Sequence, residues 1–242
     1  MTESWRNIVV DCIGLQLNAY TWYRYGLIQP FLIPGRIRAL NIGTGGGFET
    51  LRLLRRGSYV TTIEIDDQTA RRTRERVARH RFSERHTGLV GHVLEVPLEE
   101  QFHEILMCEV LEHILDDRRA LSRLSRWLLP GGRLILSTPT ASYGLLPGDT
   151  ISPEEDGNHV RVGYDGPELD EMLRGVGLVP IRRIYNGNLP IQWNLLLERR
   201  LRDRPLTRPL AYALALLSRP LLPVADLIPF RPFDQITIAT KA

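Results

Sequence analysis

Short apolar runs alternate with amphipathic stretches along most of the chain. We place strands near 37–42, 59–65, 88–94, 104–108 and 132–138, and helices near 47–56, 67–81 and 117–128. Runs of this kind, bounded by turn residues and separated by helical spacing, are typical of buried strands that are connected by helices. Such an order builds a parallel sheet whose two faces are covered by helices. The sequence therefore predicts an α/β protein.

Two further strands follow, and they are separated by an unusual insertion. A helix at 167–174, stopped by Gly175 and Gly177, leads into a strand at 178–185, and the last strand lies at 235–240. We expect the last strand to run antiparallel beside the sixth. Adjacent antiparallel strands need only a few residues between them. Here almost fifty residues intervene.

Two segments lie outside the alternating pattern. Residues 1–33 have apolar positions at mixed helical spacing and an aromatic cluster, so we expect a helical cap there. Residues 186–233 combine a predicted amphipathic helix at 191–204 with an apolar region that prolines interrupt. We interpret the chain as one domain, 1–242, that carries this cap and this helical insertion.

Composition and charge narrow the function classes only slightly. The chain has 242 residues, of which 43% are apolar and 24% charged, as in ordinary globular proteins. Its net charge of +3 and its pI of about 9.1 raise the question of nucleic-acid binding. However, Lys241 is the only lysine, and the densest arginine run, at 71–85, also contains acidic residues, as a solvated helix face does. We therefore do not expect a nucleic-acid partner.

The two cysteines and the first residues bear on the cellular compartment. Cys12 and Cys108 lie in apolar surroundings without metal-ligand spacing, which indicates reduced thiols. The start of the chain lacks a charged segment followed by an apolar core, so no signal peptide is predicted. We expect a cytoplasmic protein.

A glycine-rich turn after the first strand is the strongest chemical signal. Four of the five residues at 43–47 are glycine, at the point where a strand gives way to a helix and backbone approaches a ligand closely. The second strand ends in Glu64 and Asp66, where an acid can bind the hydroxyls of a ribose. A dinucleotide site would need a small residue at position 48, which is Phe48. The pattern favours another adenosine-containing cofactor.

Two further segments complete a family resemblance. Glu109-Val-Leu-Glu112-His113 follows the fourth apolar run, and Trp127-Leu-Leu-Pro-Gly-Gly-Arg-Leu-Ile-Leu-Ser-Thr-Pro139 reads as helix end, turn and strand. Together with the glycine turn and the acid of strand 2, they resemble the class I S-adenosylmethionine (SAM)-dependent methyltransferases, particularly the small-molecule O-methyltransferase branch. The resemblance covers 37–185 and the last strand. It implies a Rossmann-like seven-stranded sheet, mostly parallel, with an antiparallel last strand and helices on both faces.

The resemblance also implies which residues bind SAM. It assigns the methionine portion to the glycine turn and the ribose hydroxyls to Glu64, with Asp66 as the alternative. Where the family has acids in strands 1 and 3, this chain has Asn41 and His92. The full set of expected cofactor residues is Asn41, Gly43, Thr44, Gly45, Gly47, Glu64, Ile65, His92, Val93 and Glu109.

A divalent metal is a further expectation of the resemblance. In ubiquinone-pathway and small-RNA methyltransferases the Glu-x-x-Glu-His motif helps to bind a metal, and a later histidine completes the site in the RNA enzymes. The matching residues here are Glu109, Glu112, His113 and His159. Many class I enzymes carry the same motif without a metal. In that alternative His113 or His159 is the general base, because a neutral imidazole can accept a hydroxyl proton near neutral pH.

The predicted function is O-methylation of a small or lipid-linked metabolite. The alternatives are a metal-dependent RNA 2′-O-methyltransferase and a non-catalytic SAM-binding scaffold. The insertion at 186–233 is basic and apolar, which fits an acceptor lid, a homodimer interface or a peripheral membrane patch. We favour the lid. No stretch of the sequence approaches the roughly 20 uninterrupted apolar residues of a membrane span.

Overall fold

A seven-stranded sheet organises the protein, as seen in a computed structural model that describes residues 18–146, 148–201, 213–214 and 216–242. The strands are β1 (Arg38–Ile42), β2 (Tyr59–Glu64), β3 (His86–Val90), β4 (Phe102–Cys108), β5 (Leu128–Pro139), β6 (Leu178–Asn186) and β7 (Asp234–Lys241). The helices are α1 (Ala19–Ile28), α2 (Phe48–Arg55), α3 (Asp67–Arg79), α4 (Asp117–Trp127), α5 (Gly166–Gly175), α6 (Leu189–Leu201) and α7 (Leu222–Ala225).

The strand order confirms the predicted sheet. It is β3-β2-β1-β4-β5-β7-β6; β1 to β5 pair in parallel, and β7 runs antiparallel to β5. The parallel strands all end at one edge of the sheet. The order reverses between β1 and β4, and the crevice at such a reversal is where open α/β sheets bind ligands.

Burial explains why these segments form strands. From Ala39 onward every residue of β1 is buried, and β4 and β5 have apolar side chains on both faces, as strands between two helix layers do. Three helices, α1, α3 and α4, start at side-chain caps. Asp66 accepts a hydrogen bond from the Thr69 amide at 2.7 Å at the start of α3.

The predicted boundaries of strand 3 were wrong. We expected 88–94, but β3 spans His86–Val90. Gly91 adopts φ +146, outside strand geometry, and the amide of Glu95 then bonds the carbonyl of His92 at 2.9 Å. The chain therefore turns away from the sheet after Val90, which moves His92 and Val93 off the strand.

The chain divides into two compact units. The larger unit comprises 31–185 and 233–242, and it contains the sheet except for the last residue of β6. The smaller unit takes its described residues from 1–30 and 186–232. Part of the predicted cap, 1–17, and part of the predicted insertion, 202–212, lie outside the described residues.

The smaller unit is built on α1, α6 and α7. The predicted helix at 191–204 is present as α6 over the residues described, and it begins earlier, at Leu189. Its cap residue Asn188 donates a hydrogen bond to the carbonyl of Leu222 at 2.8 Å and so joins α6 to α7. In the part of the chain that the structure describes, no helix has the length and apolar character needed to cross a membrane.

Candidate functional site

The glycine turn lies at the switch point between β1 and β4. Gly43, Gly45 and Gly47 have φ of +73, +48 and +72, a left-handed conformation that side chains other than glycine adopt at a cost. At Gly43 space is also limiting, because a Cβ there would lie 2.3 Å from Cγ2 of Val110. Beside Gly45 a Cβ would meet nothing within 4 Å, so the turn has an open side.

The Glu64 carboxylate fixes this turn. Its Oε2 accepts hydrogen bonds from the Thr44 amide at 2.8 Å, the Thr44 hydroxyl at 2.9 Å and the Gly45 amide at 3.3 Å. The side chain is only 8% exposed. Its other oxygen, Oε1, receives the Asp66 amide at 3.3 Å, a long bond that leaves lone-pair capacity for a further donor.

Asp66, the alternative ribose ligand, has a different role in the structure. Its carboxylate caps α3, and the hydrogen bonds from Thr69 lower the pKa of this exposed side chain. Ile65 is 62% exposed. Val90, which pairs in register with Glu64, is 44% exposed. Exposed apolar side chains therefore stand at the ends of both β2 and β3.

Three other predicted cofactor residues face elsewhere. The Asn41 side chain is buried and donates to the Thr50 hydroxyl of α2 at 2.9 Å. Val93 belongs to the hydrophobic core. His92 Nε2 lies 3.0 Å from a carboxylate oxygen of Glu155. These three remain predictions as cofactor ligands, and their described contacts are structural.

Glu155 ties an acidic loop to the same edge of the sheet. Besides its contact with His92, its Oε1 accepts the Leu115 amide at 2.6 Å. The sequence does not distinguish Glu155 from the other acidic residues of this loop, so it could not predict these contacts. Only the folded chain shows that Glu155 and His92 meet.

The structure brings together three of the four predicted metal ligands. Glu112, His113 and His159 each offer one ligand atom, and these atoms lie within 4.8 Å of one another. Glu112 and His113 lie in a 3₁₀ turn, Leu111–His113. Glu109, the fourth predicted ligand, precedes this turn with φ +53 and lies outside it. Its carboxylate accepts a hydrogen bond from Ser137 at 2.9 Å instead.

The His113 ring has a defined orientation. Nδ1 lies 2.8 Å from the carbonyl oxygen of Asn158, so it donates its proton there. In the neutral tautomer Nε2 then carries the lone pair, and it lies 3.9 Å from Oε1 of Glu112. The His159 ring packs edge-on at 4.8 Å between ring centroids. Through Nε2 of His113 the cluster can accept a proton or bind a cation.

A buried tyrosine supports the turn that carries Glu112 and His113. The Tyr164 hydroxyl lies 3.2 Å from the Leu111 carbonyl and 3.0 Å from a carboxylate oxygen of Asp117. Burial, together with the negative charge of Asp117, raises the pKa of Tyr164. Arg161 pairs with Asp117 at 3.1 Å and stacks on the Tyr164 ring at 4.4 Å.

Sequence reasoning missed this support and the serine that binds Glu109. Ser137 Oγ lies 2.9 Å from Oδ1 of Asp234 as well as from Glu109, so two carboxylates face one hydroxyl. In the sequence Ser137 was visible only as a polar residue inside an apolar strand, and Asp234 as the residue just before the last predicted strand. A polar residue inside an otherwise apolar strand is the signal that could have drawn attention to Ser137.

Comparison with known proteins agrees with this architecture. Residues 40–136 match a family described as a methyltransferase domain. An uncharacterized methyltransferase of Mycobacterium bovis is 34% identical over 125 residues, which make up 50% of this chain and 62% of that protein. A ubiquinone biosynthesis O-methyltransferase of Marinobacter nauticus is 27% identical over 192 residues, covering 67% of this chain and 76% of that protein.

A solved structure gives the same picture of the fold. Phosphoethanolamine N-methyltransferase 2 of Haemonchus contortus, in complex with S-adenosyl-L-methionine, superposes with a TM-score of 0.62 at 18% identity. The match covers 93% of this chain and 56% of that one. Residues 40–136 therefore resemble a methyltransferase domain, and the fold is the one seen in SAM-dependent methyltransferases.

Proposed function

We propose that the protein is a SAM-dependent methyltransferase that methylates a hydroxyl group of a small or lipid-linked molecule. The observation that carries the proposal is the oriented imidazole of His113 at the sheet edge where the glycine turn and Glu64 also lie. The candidate nucleoside cradle and the candidate proton acceptor follow two neighbouring parallel strands, β1 and β4, and this supports a shared site. The similarity to a ubiquinone biosynthesis O-methyltransferase supports oxygen as the methylated atom.

The residues present fit SAM. The open side of Gly45 gives a ligand access to backbone, Glu64 keeps a carboxylate oxygen with spare lone-pair capacity, and Ile65 offers an exposed apolar side chain. We assign the methionine portion to the turn and the ribose hydroxyls to Glu64. When bound, the cofactor supplies a methyl carbon on a sulfonium, which an acceptor oxygen displaces in line.

The protein's own contribution is positioning and proton transfer. As the acceptor oxygen bonds to the methyl carbon and the carbon–sulfur bond breaks, the hydroxyl proton must leave. His113 Nε2 is the atom that accepts it, because the Asn158 carbonyl holds the other ring nitrogen as the donor. His159 packs against this ring and restrains it. Correct placement of the two reacting atoms supplies much of the remaining acceleration.

Methyl transfer from labelled SAM to a panel of phenols, sugars and quinols tests the proposal. Replacing His113 by Asn removes the proton acceptor, and we expect kcat to fall by about 10²- to 10⁴-fold while the affinity for S-adenosylhomocysteine stays unchanged. His103→Asn is the matched control, because His103 lies at the start of β4, away from this edge. An unchanged kcat in His113→Asn would remove the assigned role.

A metal-dependent mechanism is the second candidate, and the cluster of Glu112, His113 and His159 favours it. One carboxylate and two imidazoles suit Zn²⁺ or Mn²⁺ better than Mg²⁺. The Asn158 carbonyl would orient His113 as an outer-shell partner does. Within the cluster, the 3.9 Å between Nε2 of His113 and Oε1 of Glu112 is slightly wider than the roughly 3.4 Å that a tetrahedral site requires.

Metal titration separates the two candidates, because the same nitrogen cannot be both ligand and base. The metal candidate predicts binding of Zn²⁺ or Mn²⁺ by calorimetry, which Glu112→Gln weakens, and loss of transfer in EDTA. The base candidate predicts transfer that is indifferent to EDTA. The same assay with RNA acceptors covers the RNA 2′-O-methyltransferase alternative, and absence of transfer to any acceptor is what the scaffold alternative predicts.

A further inference from the structure

In the smaller unit, residues 217–229, which are helical as far as Ala225, expose apolar side chains and turn their polar ones inward. Eight of these residues are exposed, and all eight are apolar: Leu217, Pro220, Leu221, Pro223, Val224, Leu227, Ile228 and Pro229. Leu217 is 74% exposed and Leu227 83%. Scattered exposed leucines are ordinary, but a contiguous apolar surface on one helical stretch indicates an interaction site. We call these eight residues the apolar surface.

The polar residues of this stretch are turned away from solvent toward partners in the same unit. The Ser218 hydroxyl accepts a hydrogen bond from the Asn194 side chain at 2.9 Å. The guanidinium of Arg219 stacks on the Trp22 ring at 4.7 Å. Both contacts fix which side of the stretch faces the unit.

Asp226 and Leu222 complete this orientation. The Asp226 carboxylate accepts hydrogen bonds from Asn188 at 2.7 Å and from the Tyr23 hydroxyl. Leu222 is fully buried. Three polar anchors and one buried leucine therefore hold the apolar surface outward, so its exposure is built into the packing of the unit.

Helix α6 extends the apolar surface. Trp193 is 72% exposed and Leu189, one turn earlier, is 49% exposed. The hydrogen bond from Asn194 to Ser218 joins the two helical segments beside Trp193 and Leu217. A tryptophan at the margin of an apolar surface suits the interface between water and lipid, where its ring is apolar and its N–H stays hydrated.

The charge of the segment indicates which partner covers this surface. Residues 186–232 contain seven arginines and three acidic residues. Arg200 and Arg231 are exposed. Apolar side chains with flanking arginines are the composition of protein segments that lie in the interface of an anionic bilayer. A second copy of the chain would instead bring two positive surfaces together, which costs free energy.

We propose that the apolar surface, with Trp193, binds peripherally to the surface of a membrane that contains anionic lipids. Leucine, isoleucine and valine side chains enter the boundary between headgroups and acyl chains, and arginines contact the lipid phosphates. The described helices are too short to cross the bilayer, so the contact is interfacial. The proposal does not depend on methyl transfer, and SAM is not needed to test it.

Vesicle flotation with the full chain tests the proposal. We expect binding to vesicles of equal parts phosphatidylglycerol and phosphatidylcholine, weak binding to phosphatidylcholine alone, and weaker binding as salt rises. The double variant Leu217→Glu/Leu227→Glu should lose at least about tenfold in partitioning, because two apolar side chains leave the interface and two negative charges enter it. Both positions are so exposed that the fold tolerates the change.

The matched control adds the same charge elsewhere. Val179 and Ile181 are 45% and 53% exposed on β6, and Val179→Glu/Ile181→Glu should bind vesicles far better than the first variant does. Equal loss in both variants would show that net charge alone decides binding and would overturn the proposal. So would equal binding to neutral vesicles.

Two further measurements separate the other occupants. If the wild type is a dimer by light scattering and Leu217→Glu/Leu227→Glu is a monomer, the surface is a self-association interface and the proposal fails. Trp193 fluorescence, taken as the difference between wild type and Trp193→Phe, should shift to the blue on addition of anionic vesicles. An unchanged difference spectrum would contradict the proposal.

Discussion

A single carboxylate organises the cofactor side of the site. Glu64 receives three donors from the glycine turn through one oxygen, and its other oxygen receives only the long hydrogen bond from the Asp66 amide. It braces the turn, and it is the residue that we propose as the ribose ligand. The sequence predicted the second role, because an acid at the end of strand 2 is recognisable. The first depends on the folded turn.

Replacement of this carboxylate should be costly for binding. Glu64→Gln removes the negative charge of the group that accepts three hydrogen bonds from the turn. A hydrogen bond with a charged partner contributes about 1.5–3 kcal/mol. We expect the affinity for S-adenosylhomocysteine to fall by about 10- to 100-fold in calorimetry. Asp66→Asn is the matched control, since asparagine also caps a helix, and it should bind almost normally. Equal affinities of wild type and Glu64→Gln would refute the assignment.

A second buried acid, Glu104 in β4, governs stability instead. It is fully buried and accepts the Ile33 amide at 2.7 Å. Burial raises the pKa of Glu104 from its ordinary 4.5 to about 7, although Arg133 and Arg56 oppose the shift. The folded protein thus keeps a proton that the unfolded chain releases.

The sign of the pH effect follows from this proton. Between pH 4.5 and about 7 the folded state binds more protons than the unfolded state, so the free energy of unfolding falls as pH rises. The fall amounts to about 3 kcal/mol in total. Urea unfolding of wild type and Glu104→Gln across this window measures it, and the variant should lack this contribution. Parallel curves for the two proteins would contradict it.

At the level of elements, the glycine turn and the segment after β4 are built against each other. Gly43 leaves room for Val110, and its amide bonds the Ile63 carbonyl at 3.0 Å. The glycine turn is therefore in contact with both β2 and the segment after β4. We therefore expect a substitution in one of these three segments to affect the other two.

Two glycine substitutions separate strain from crowding. Gly45→Ala should cost about 1–2 kcal/mol of stability, from left-handed backbone strain alone. Gly43→Ala adds the clash with Val110, a further cost of about 1–3 kcal/mol. Adding Val110→Ala to Gly43→Ala should recover part of the second cost only. Unfolding curves that rank Gly45→Ala as equal to Gly43→Ala would disprove the close approach.

The strands were more predictable than the site. Apolar runs located all seven strands, because burial between two helix layers leaves a strong sequence signal. The end of β3 was missed because a single Gly91 turns the chain out of an otherwise apolar run. The left-handed Glu109 was missed for a similar reason: its φ of +53 is set by tertiary contacts, and glutamate ordinarily avoids that region.

At the scale of the whole molecule, contacts between distant residues decided what the sequence could not. Tyr164 supports the turn at Leu111 across 53 positions, and Tyr23 reaches Asp226 across 203. No local pattern encodes such pairs. The family resemblance nevertheless predicted that Glu112, His113 and His159 lie close together, because it carried long-range information that the residues alone did not.

The two proposed activities are assigned to different units of the chain. The sheet unit carries every residue that we assign to methyl transfer, whereas the smaller unit carries the apolar surface. The lid that we predicted for 186–233 stays a prediction, as does the cytoplasmic location. The proposed membrane contact belongs to the smaller unit alone, so either activity can fail without the other.

The most direct test is a crystal structure with bound S-adenosylhomocysteine. We expect ribose hydroxyls bonded to Glu64, the adenine against Ile65 and Val90, and the amino-acid portion along the glycine turn. Electron density for the ligand at any other place, or a turn from which the ligand is excluded, would contradict this assignment.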